Sequence, residues 1–254
     1  MIREIEPFNI ELEILNLVKS CFDILSPEDS QHCVWFKNYA KYHAMRIAFD
    51  YKIIKENVKK DSKILEFGSI PLLLTAALVK KNYRITGLDI DPGRFKVAID
   101  NLGIKVIKCD IEQELLPIDN NKYDVVIFNE LFEHLRINPN FTMREVYRIL
   151  KPSGMLILST PNLRSLKGII NFLIFNYAFS SENDVFKQYE KIDNLGHMGH
   201  VREYTSREII DFLDNSGFIV DKLIYRGGTN SRKARFIYLI FPFLRPFISC
   251  IARK

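Results

Sequence analysis

From Lys63 onward the chain alternates short, almost uninterrupted apolar runs with stretches of helical periodicity, and that alternation leaves few folds open. KILEF (63–67), RITGLD (84–89), IKVIK (104–108), YDVVIF (123–128) and GMLILS (154–159) read as strands. Helices fit between them at about 71–81, 92–102 and 139–150, the last closed by Lys151-Pro152-Ser153-Gly154. Strands that are apolar on both faces and separated by helices imply a parallel sheet covered on each side, a doubly wound α/β fold. With 254 residues, one main domain with local additions is expected.

Before Lys63, residues 8–60 carry helical periodicity, with Trp35, Tyr39, Tyr42, Met45 and Phe49 near i, i+3, i+4 spacing. We read 1–60 as an N-terminal helical cap, either covering an edge of the main domain at 61–254 or touching substrate. After Pro161 the alternation stops, and 162–204 reads as a lid or insertion containing the apolar stretch GIINFLIFNYAF (168–179), too short for a membrane span. Thr205 with Glu208 then forms a capping box that opens a helix, Gly217 ends it, and FIVDKLIYR and FISCIAR supply two late strands. Residues 232–246 are expected to be an apolar, basic loop.

Apolar residues at 47% and charged residues at 26% are ordinary for a folded globular chain. The segment from Arg226 to Lys254 holds seven Lys/Arg and no acid, more than the whole net charge of +5, so the rest is slightly acidic. That distribution argues against a general nucleic-acid surface and for a local contact with something anionic. Its basic residues interleave with large apolar ones, which suits peripheral contact with an anionic lipid layer, although 247–253 is read as the last strand. Cys21, Cys33, Cys109 and Cys250 are widely spaced, and no export signal is read at Met1, so reduced thiols in a cytoplasmic protein are expected.

In open α/β sheets ligands bind beyond the carboxyl ends of the strands, where this chain places Glu66 and Gly68, then Asp89, then Asp110 and Ile111, then Asn129, Glu130, Glu133 and His134. A carboxylate at Asp89 can accept hydrogen bonds from ribose hydroxyls, and a glycine at 68 lets the backbone turn and a ligand approach. A lone aspartate at a strand end is more often a helix cap or a solvated loop residue; the ordered set is what points to a ligand.

The order ILEFGS, ITGLDIDP, CDIE, YDVVIFNELFEHL and REVYRILKPSGMLILSTPN resembles the class I S-adenosylmethionine-dependent methyltransferases over about residues 60–225. The resemblance implies a seven-stranded, Rossmann-like, mostly parallel sheet of order 3-2-1-4-5-7-6 with an antiparallel last strand, and S-adenosylmethionine as cofactor. It further implies that Glu66 and Gly68 line the methionine end, Asp89 holds the ribose, Asp110 and Ile111 frame the adenine, and Asn129 closes the site. The family's glycine-rich turn is altered here to Gly68-Ser69-Ile70-Pro71-Leu72, and the GxGxxG of dinucleotide enzymes is absent.

His134 is the candidate base, with Glu130 and Glu133 structural or substrate-orienting. The stretch GHMGHVREYT (196–205) is similar to small-molecule methyltransferases of sugar, polysaccharide and lipid-linked biosynthesis, making His200, Arg202 and Tyr204 candidate substrate contacts. His197 and His200 are spaced like metal ligands, but no third ligand has convincing spacing, so no metal is expected. The function expected is O-methylation of a small-molecule, sugar or lipid-linked acceptor. The other reading, motivated by Ile70, is a catalytically degenerate sensor or scaffold that binds the cofactor only.

Overall fold

The computed structural model describes residues 1–5, 10–25, 30–181, 184–195, 199–229 and 231–254. Its strands are β1 (Ile2–Ile5), β2 (Lys63–Phe67), β3 (Arg84–Asp89), β4 (Val106–Lys108), β5 (Tyr123–Asn129), β6 (Leu150–Pro161), β7 (Ile219–Arg226) and β8 (Phe247–Arg253). They form one sheet of order β1-β7-β8-β6-β5-β2-β3-β4, with β8 antiparallel to β6 and β7. Seven strands were expected and the described residues form eight. Without β1, the remaining seven run in the expected order. β1 pairs parallel to β7 from Ile2 opposite Lys222 to Ile5 opposite Tyr225, and Glu4 meets Lys222 at 3.0 Å. Such a short strand, with Ile2 exposed, has no apolar run to announce it.

The chain divides into two compact units. One comprises Asn9–Ile127 with Arg148–Gly154. Here β2 pairs parallel to β3 and to β5, and β3 to β4. Ile64, Leu65, Val125, Val126 and Ile127 are almost wholly buried, each contributing about 1.5–3 kcal/mol of burial free energy. Helices α1 (Leu12–Lys19), α2 (Ser30–Asn57), α3 (Leu73–Lys80) and α4 (Lys96–Leu102) belong to the same unit, α2 packing on α1 and α3. The buried face of α2 is Phe36, Ala40, Ala44, Ala48 and Tyr51, whereas Tyr42 and Met45 of the expected stripe are exposed. Alanines win because they let the helix backbone come close to its neighbours, and Phe36 packs edge-on to Phe95 at 5.8 Å.

The other unit comprises Met1–Phe8, Phe128–Tyr147 and Met155–Lys254. It carries most of α5 (Pro139–Ile149), then α6 (Leu166–Phe175), α7 (Val185–Leu195), α8 (Ser206–Asn215) and α9 (Arg232–Ile240). Ser165 caps α6 through the Gly168 N–H at 3.0 Å, and Asn176 ends it in the left-handed region at φ 58°. The capping box at α8 is complete, Thr205 and Glu208 each satisfying the other's backbone N–H. Residues 232–246, read as a loop in the sequence, contain α9 and a 3-10 turn at Pro242–Leu244, because Ser231 caps the Ala234 N–H and starts the helix. No helix among the described residues is long and apolar enough to cross a membrane.

Candidate active site

The carboxyl ends of β2, β3 and β4 gather one group of polar residues. β2 ends at Phe67, and Gly68 takes φ +61° in an exposed turn, which a glycine adopts without steric cost. Pro71 precedes the helix rather than sitting in its first turn: Leu72 N donates to Ser69 O at 2.6 Å, Leu72 itself is left-handed at φ 66°, and α3 starts at Leu73. Asp89, at the end of β3 and 7% exposed, accepts Ile70 N–H through Oδ2 at 3.1 Å and Asp91 N–H through Oδ1 at 3.0 Å. Burial raises its carboxyl above the usual value against those two bonds.

Glu66 is buried within β2 and accepts the Thr75 hydroxyl from α3. Burial pushes its carboxyl up to about 8; the Thr75 bond works against this, and Asp50 and Asp89 add to it. Asp110 follows β4 with both oxygens engaged locally, Oδ1 by Glu112 N–H at 3.0 Å and Oδ2 by Gln113 Nε2 at 2.7 Å, beside half-buried Ile111. Each carboxylate oxygen keeps acceptor capacity beyond one bond. Ser69 Oγ is buried with no partner, and a Cβ on Gly87 would stand 2.6 Å from it. Acceptors at two strand ends, an open glycine turn and an orphaned hydroxyl fit the ribose, adenine and amino-acid parts of S-adenosylmethionine.

In the other unit β5 ends at Asn129, whose amide oxygen and nitrogen are both buried and without partners. Glu130 follows in the left-handed region at φ 51°, its Oε1 accepting Ser159 Oγ at 3.1 Å and meeting the buried Arg226 guanidinium at 3.3 Å. A 3-10 turn at Phe132–His134 then presents Glu133 and His134. Glu133 is 1% exposed, accepts Thr160 Oγ1 at 3.0 Å through Oε2, and leaves Oε1 without a partner. Its carboxyl is raised well above the usual range, first by burial and then by Glu130.

The backbone of residues 199–202 is tied to that turn: Val201 N–H and Arg202 N–H both reach Glu133 O, at 2.8 and 3.3 Å, and His134 Nδ1 donates to Gly199 O at 3.0 Å. Gly199 lies close against Gln188: a Cβ at this position would fall 1.7 Å from Gln188 Oε1, so that side chain would have to move. His200 and His134 stack edge to face at 5.0 Å, and His200 Nδ1 meets Glu203 Oε1 at 3.1 Å. Burial lowers the His200 pKa, but Glu203, Glu133 and Glu130 together carry it above the ordinary value. Glu203 is held down to about 2 despite its burial, by His200 and by the hydroxyls of Ser180 and Ser181.

Of the sequence-derived residues, Glu66, Gly68, Asp89, Asp110 and Ile111 fall in one unit and Asn129, His134 and His200 in the other. Arg202 is 60% exposed at its side chain and pairs with Glu208 at 2.5 Å. Tyr204 is buried with its ring 4.9 Å from Phe132. His197 lies outside the described residues. The roles of Glu203, Ser180, Ser181 and Arg226 were not foreseen: the Glu203 bonds to Ser180 and Ser181 and the Arg226 bond to Glu130 join residues 22 to 96 positions apart, and nothing in local periodicity marks such pairings.

Comparison with known proteins bears on the same elements. The family model described as a methyltransferase domain matches residues 65–158. An uncharacterized protein of Methanocaldococcus jannaschii is 28% identical over 85% of this chain and 84% of its own length. A ubiquinone biosynthesis O-methyltransferase of Rickettsia bellii is 25% identical over 72% of this chain and 79% of its own. Among solved structures, an S-adenosylmethionine-dependent methyltransferase from Archaeoglobus fulgidus superposes with a TM-score of 0.58 at 18% identity, covering 87% of this chain and 99% of that one. The Burkholderia thailandensis 1,6-didemethyltoxoflavin N1-methyltransferase, solved with S-adenosylhomocysteine, does so at 0.58 and 14% identity, over 98% and 92%. Sheet order and the matched domain agree: residues 65–158 match a methyltransferase domain, and the chain has the fold of S-adenosylmethionine-dependent methyltransferases, whose cofactor is S-adenosylmethionine.

Proposed function

We propose that the enzyme transfers a methyl group to a hydroxyl oxygen of a small-molecule, sugar or lipid-linked acceptor. The observation that carries this reading is the His134 bond to Gly199 O: a nitrogen facing a carbonyl must carry the proton, so in the neutral ring Nε2 holds the lone pair. A group of that kind at a strand end can relieve a hydroxyl of its proton. The similarity to ubiquinone biosynthesis O-methyltransferases supports oxygen as the atom methylated.

The cofactor supplies an electrophilic methyl on a positively charged sulfur. The residues of one unit do the rest: Asp89 accepts the ribose hydroxyls, Asp110 and Ile111 flank the adenine, and Glu66 and Gly68 border the methionine end; in the other unit Asn129 carries an amide with bonding capacity to spare. Residues 162–204 are assigned to acceptor recognition with His200, while Arg202 and Tyr204 set the path of that segment. On α6, Phe172, Leu173, Ile174 and Phe175 are all exposed, as are Phe236, Leu239 and Ile240 on α9, whose first turn carries Arg232, Lys233 and Arg235. Such surfaces favour a cytoplasmic enzyme working at an anionic membrane face on a lipid-linked acceptor.

The test is transfer from radiolabelled S-adenosylmethionine to a panel of hydroxylated aromatics, sugars and polyprenyl-linked sugars, in the wild type and in His134→Ala. Turnover lowered at least about 100-fold in the variant, with cofactor affinity kept, supports the reading. Cofactor binding with no transfer to any acceptor would favour the sensor reading motivated by Ile70.

A further inference from the structure

Three ligand-type side chains converge in the unit that carries the end of β5: Glu133, His134 and His200 each bring a ligand atom within 4.8 Å of the other two. Glu133 Oε1 is buried, has no partner and stands 4.0 Å from His200 Nε2. That distance is too long for a hydrogen bond. It is right for two ligands of one ion, since atoms each about 2.1 Å from a metal lie about 3 Å apart when adjacent and about 4.2 Å apart when opposite. The 4.8 Å spread closes with shifts of about half an ångström per side chain.

The surroundings are also those of a metal site. His134 Nδ1 donates to the Gly199 carbonyl and His200 Nδ1 to the Glu203 carboxylate, so each neutral imidazole presents Nε2. Carbonyl or carboxylate backing is how metal-binding histidines are oriented. Glu203 is itself fixed by the backbone N–H and hydroxyl groups of Ser180 and Ser181, and Thr160 holds Glu133 by its other oxygen. All three ligands are therefore set by neighbours that the hydroxyl-methylating reading alone does not require.

We propose that Glu133, His134 and His200 bind one divalent first-row transition cation, which receives the acceptor's hydroxyl oxygen. Two imidazoles and a carboxylate suit Mn²⁺, Fe²⁺, Co²⁺ or Zn²⁺, whereas Mg²⁺ favours oxygen donors and its own water. The binding stands on the geometry; the cation's role rests on the O-methylation reading. In that role the cation lowers the hydroxyl's pKa. The proton leaves to solvent, the oxygen takes the methyl carbon, and the electron pair of the broken S–C bond remains on sulfur. His134 Nε2 then promotes loss of the hydroxyl proton through the cation it holds, the same task it performs directly in the cation-free reading, and turnover becomes chelator-sensitive.

The experiment is calorimetric titration of the chelator-treated full chain with Mn²⁺ and with Zn²⁺, with S-adenosylhomocysteine affinity measured on the same samples. The expected result is one equivalent of cation per chain, weakened at least about 30-fold in His200→Ala and Glu133→Gln and about tenfold in Glu203→Gln, with S-adenosylhomocysteine affinity within about twofold. If a variant loses S-adenosylhomocysteine binding through misfolding, wild-type stoichiometry and His134→Asn decide the matter. A folded wild type that takes up no stoichiometric cation, or uptake that survives the substitutions, overturns the proposal. Cation uptake without S-adenosylhomocysteine binding would leave the site standing and remove the methyltransferase reading; the reverse pattern would do the opposite.

Discussion

Asp89 and Ile70, nineteen residues apart, are joined by one bond: the aspartate Oδ2 accepts the Ile70 backbone N–H at 3.1 Å. The turn after β2 and the carboxylate after β3 are thereby held as one piece. The altered Gly68–Leu72 turn, with no second or third glycine, keeps its shape through this bond and through Leu72 N–H to Ser69 O.

Glu66 makes folding depend on pH. Burial lifts its carboxyl from 4.5 to about 8, so the folded state holds a proton that the unfolded chain releases, and stability falls as pH rises between those values. Glu66→Gln does not titrate. Its melting temperature should exceed that of the wild type by a margin that widens from pH 5 to pH 8, at up to about 1.4 kcal/mol per pH unit. A constant margin would mean that Glu66 is ionised in the fold.

Thr205→Ala removes the side-chain half of the α8 capping box. Urea denaturation should show a loss of about 1 kcal/mol. An unchanged midpoint would mean that solvent replaces the hydroxyl without cost.

Glu203→Gln leaves the Ser180–Ser181 corner with a poorer acceptor in a buried place. A loss of about 2–3 kcal/mol is expected, with faster proteolysis between α6 and α7. Resistance equal to the wild type would show that the corner is held by other contacts.

Phe172 and Leu173 are 61% and 73% exposed on α6, a cost in solubility that a membrane face would relieve. The wild type should sediment with phosphatidylglycerol vesicles in a salt-sensitive way, and the variant carrying Phe172→Asp and Leu173→Asp should do so at least about fivefold less. Equal sedimentation of the two would remove α6 from any lipid contact.

Much of this was legible in the sequence where side-chain chemistry follows chain order. Runs such as Val125–Ile127 are buried on both faces and so announce themselves, and the polar residue after each marks a strand end. The Thr205/Glu208 box depends only on a three-residue spacing. β1 escaped because four partly exposed residues carry no period. Of the α2 stripe Phe49 is buried as expected, whereas Tyr42 and Met45 are exposed because Ala40, Ala44 and Ala48 do the packing there. The convergence of Glu133 and His134 with His200 is set by backbone bonds from residues 201 and 202 to Glu133 O, a long-range tie that no local pattern encodes. In the sequence His200 pairs by spacing only with its near neighbour His197, and nothing local places it beside Glu133 and His134.

Titration of the purified protein with S-adenosylhomocysteine by calorimetry, beside Asp89→Ala checked for an unchanged thermal melt, tests the central claim most directly. The account predicts one site of micromolar affinity in the wild type and a loss of at least about 100-fold in the variant, roughly 2.7 kcal/mol. No binding by the folded wild type, or equal affinity in the variant, would contradict it.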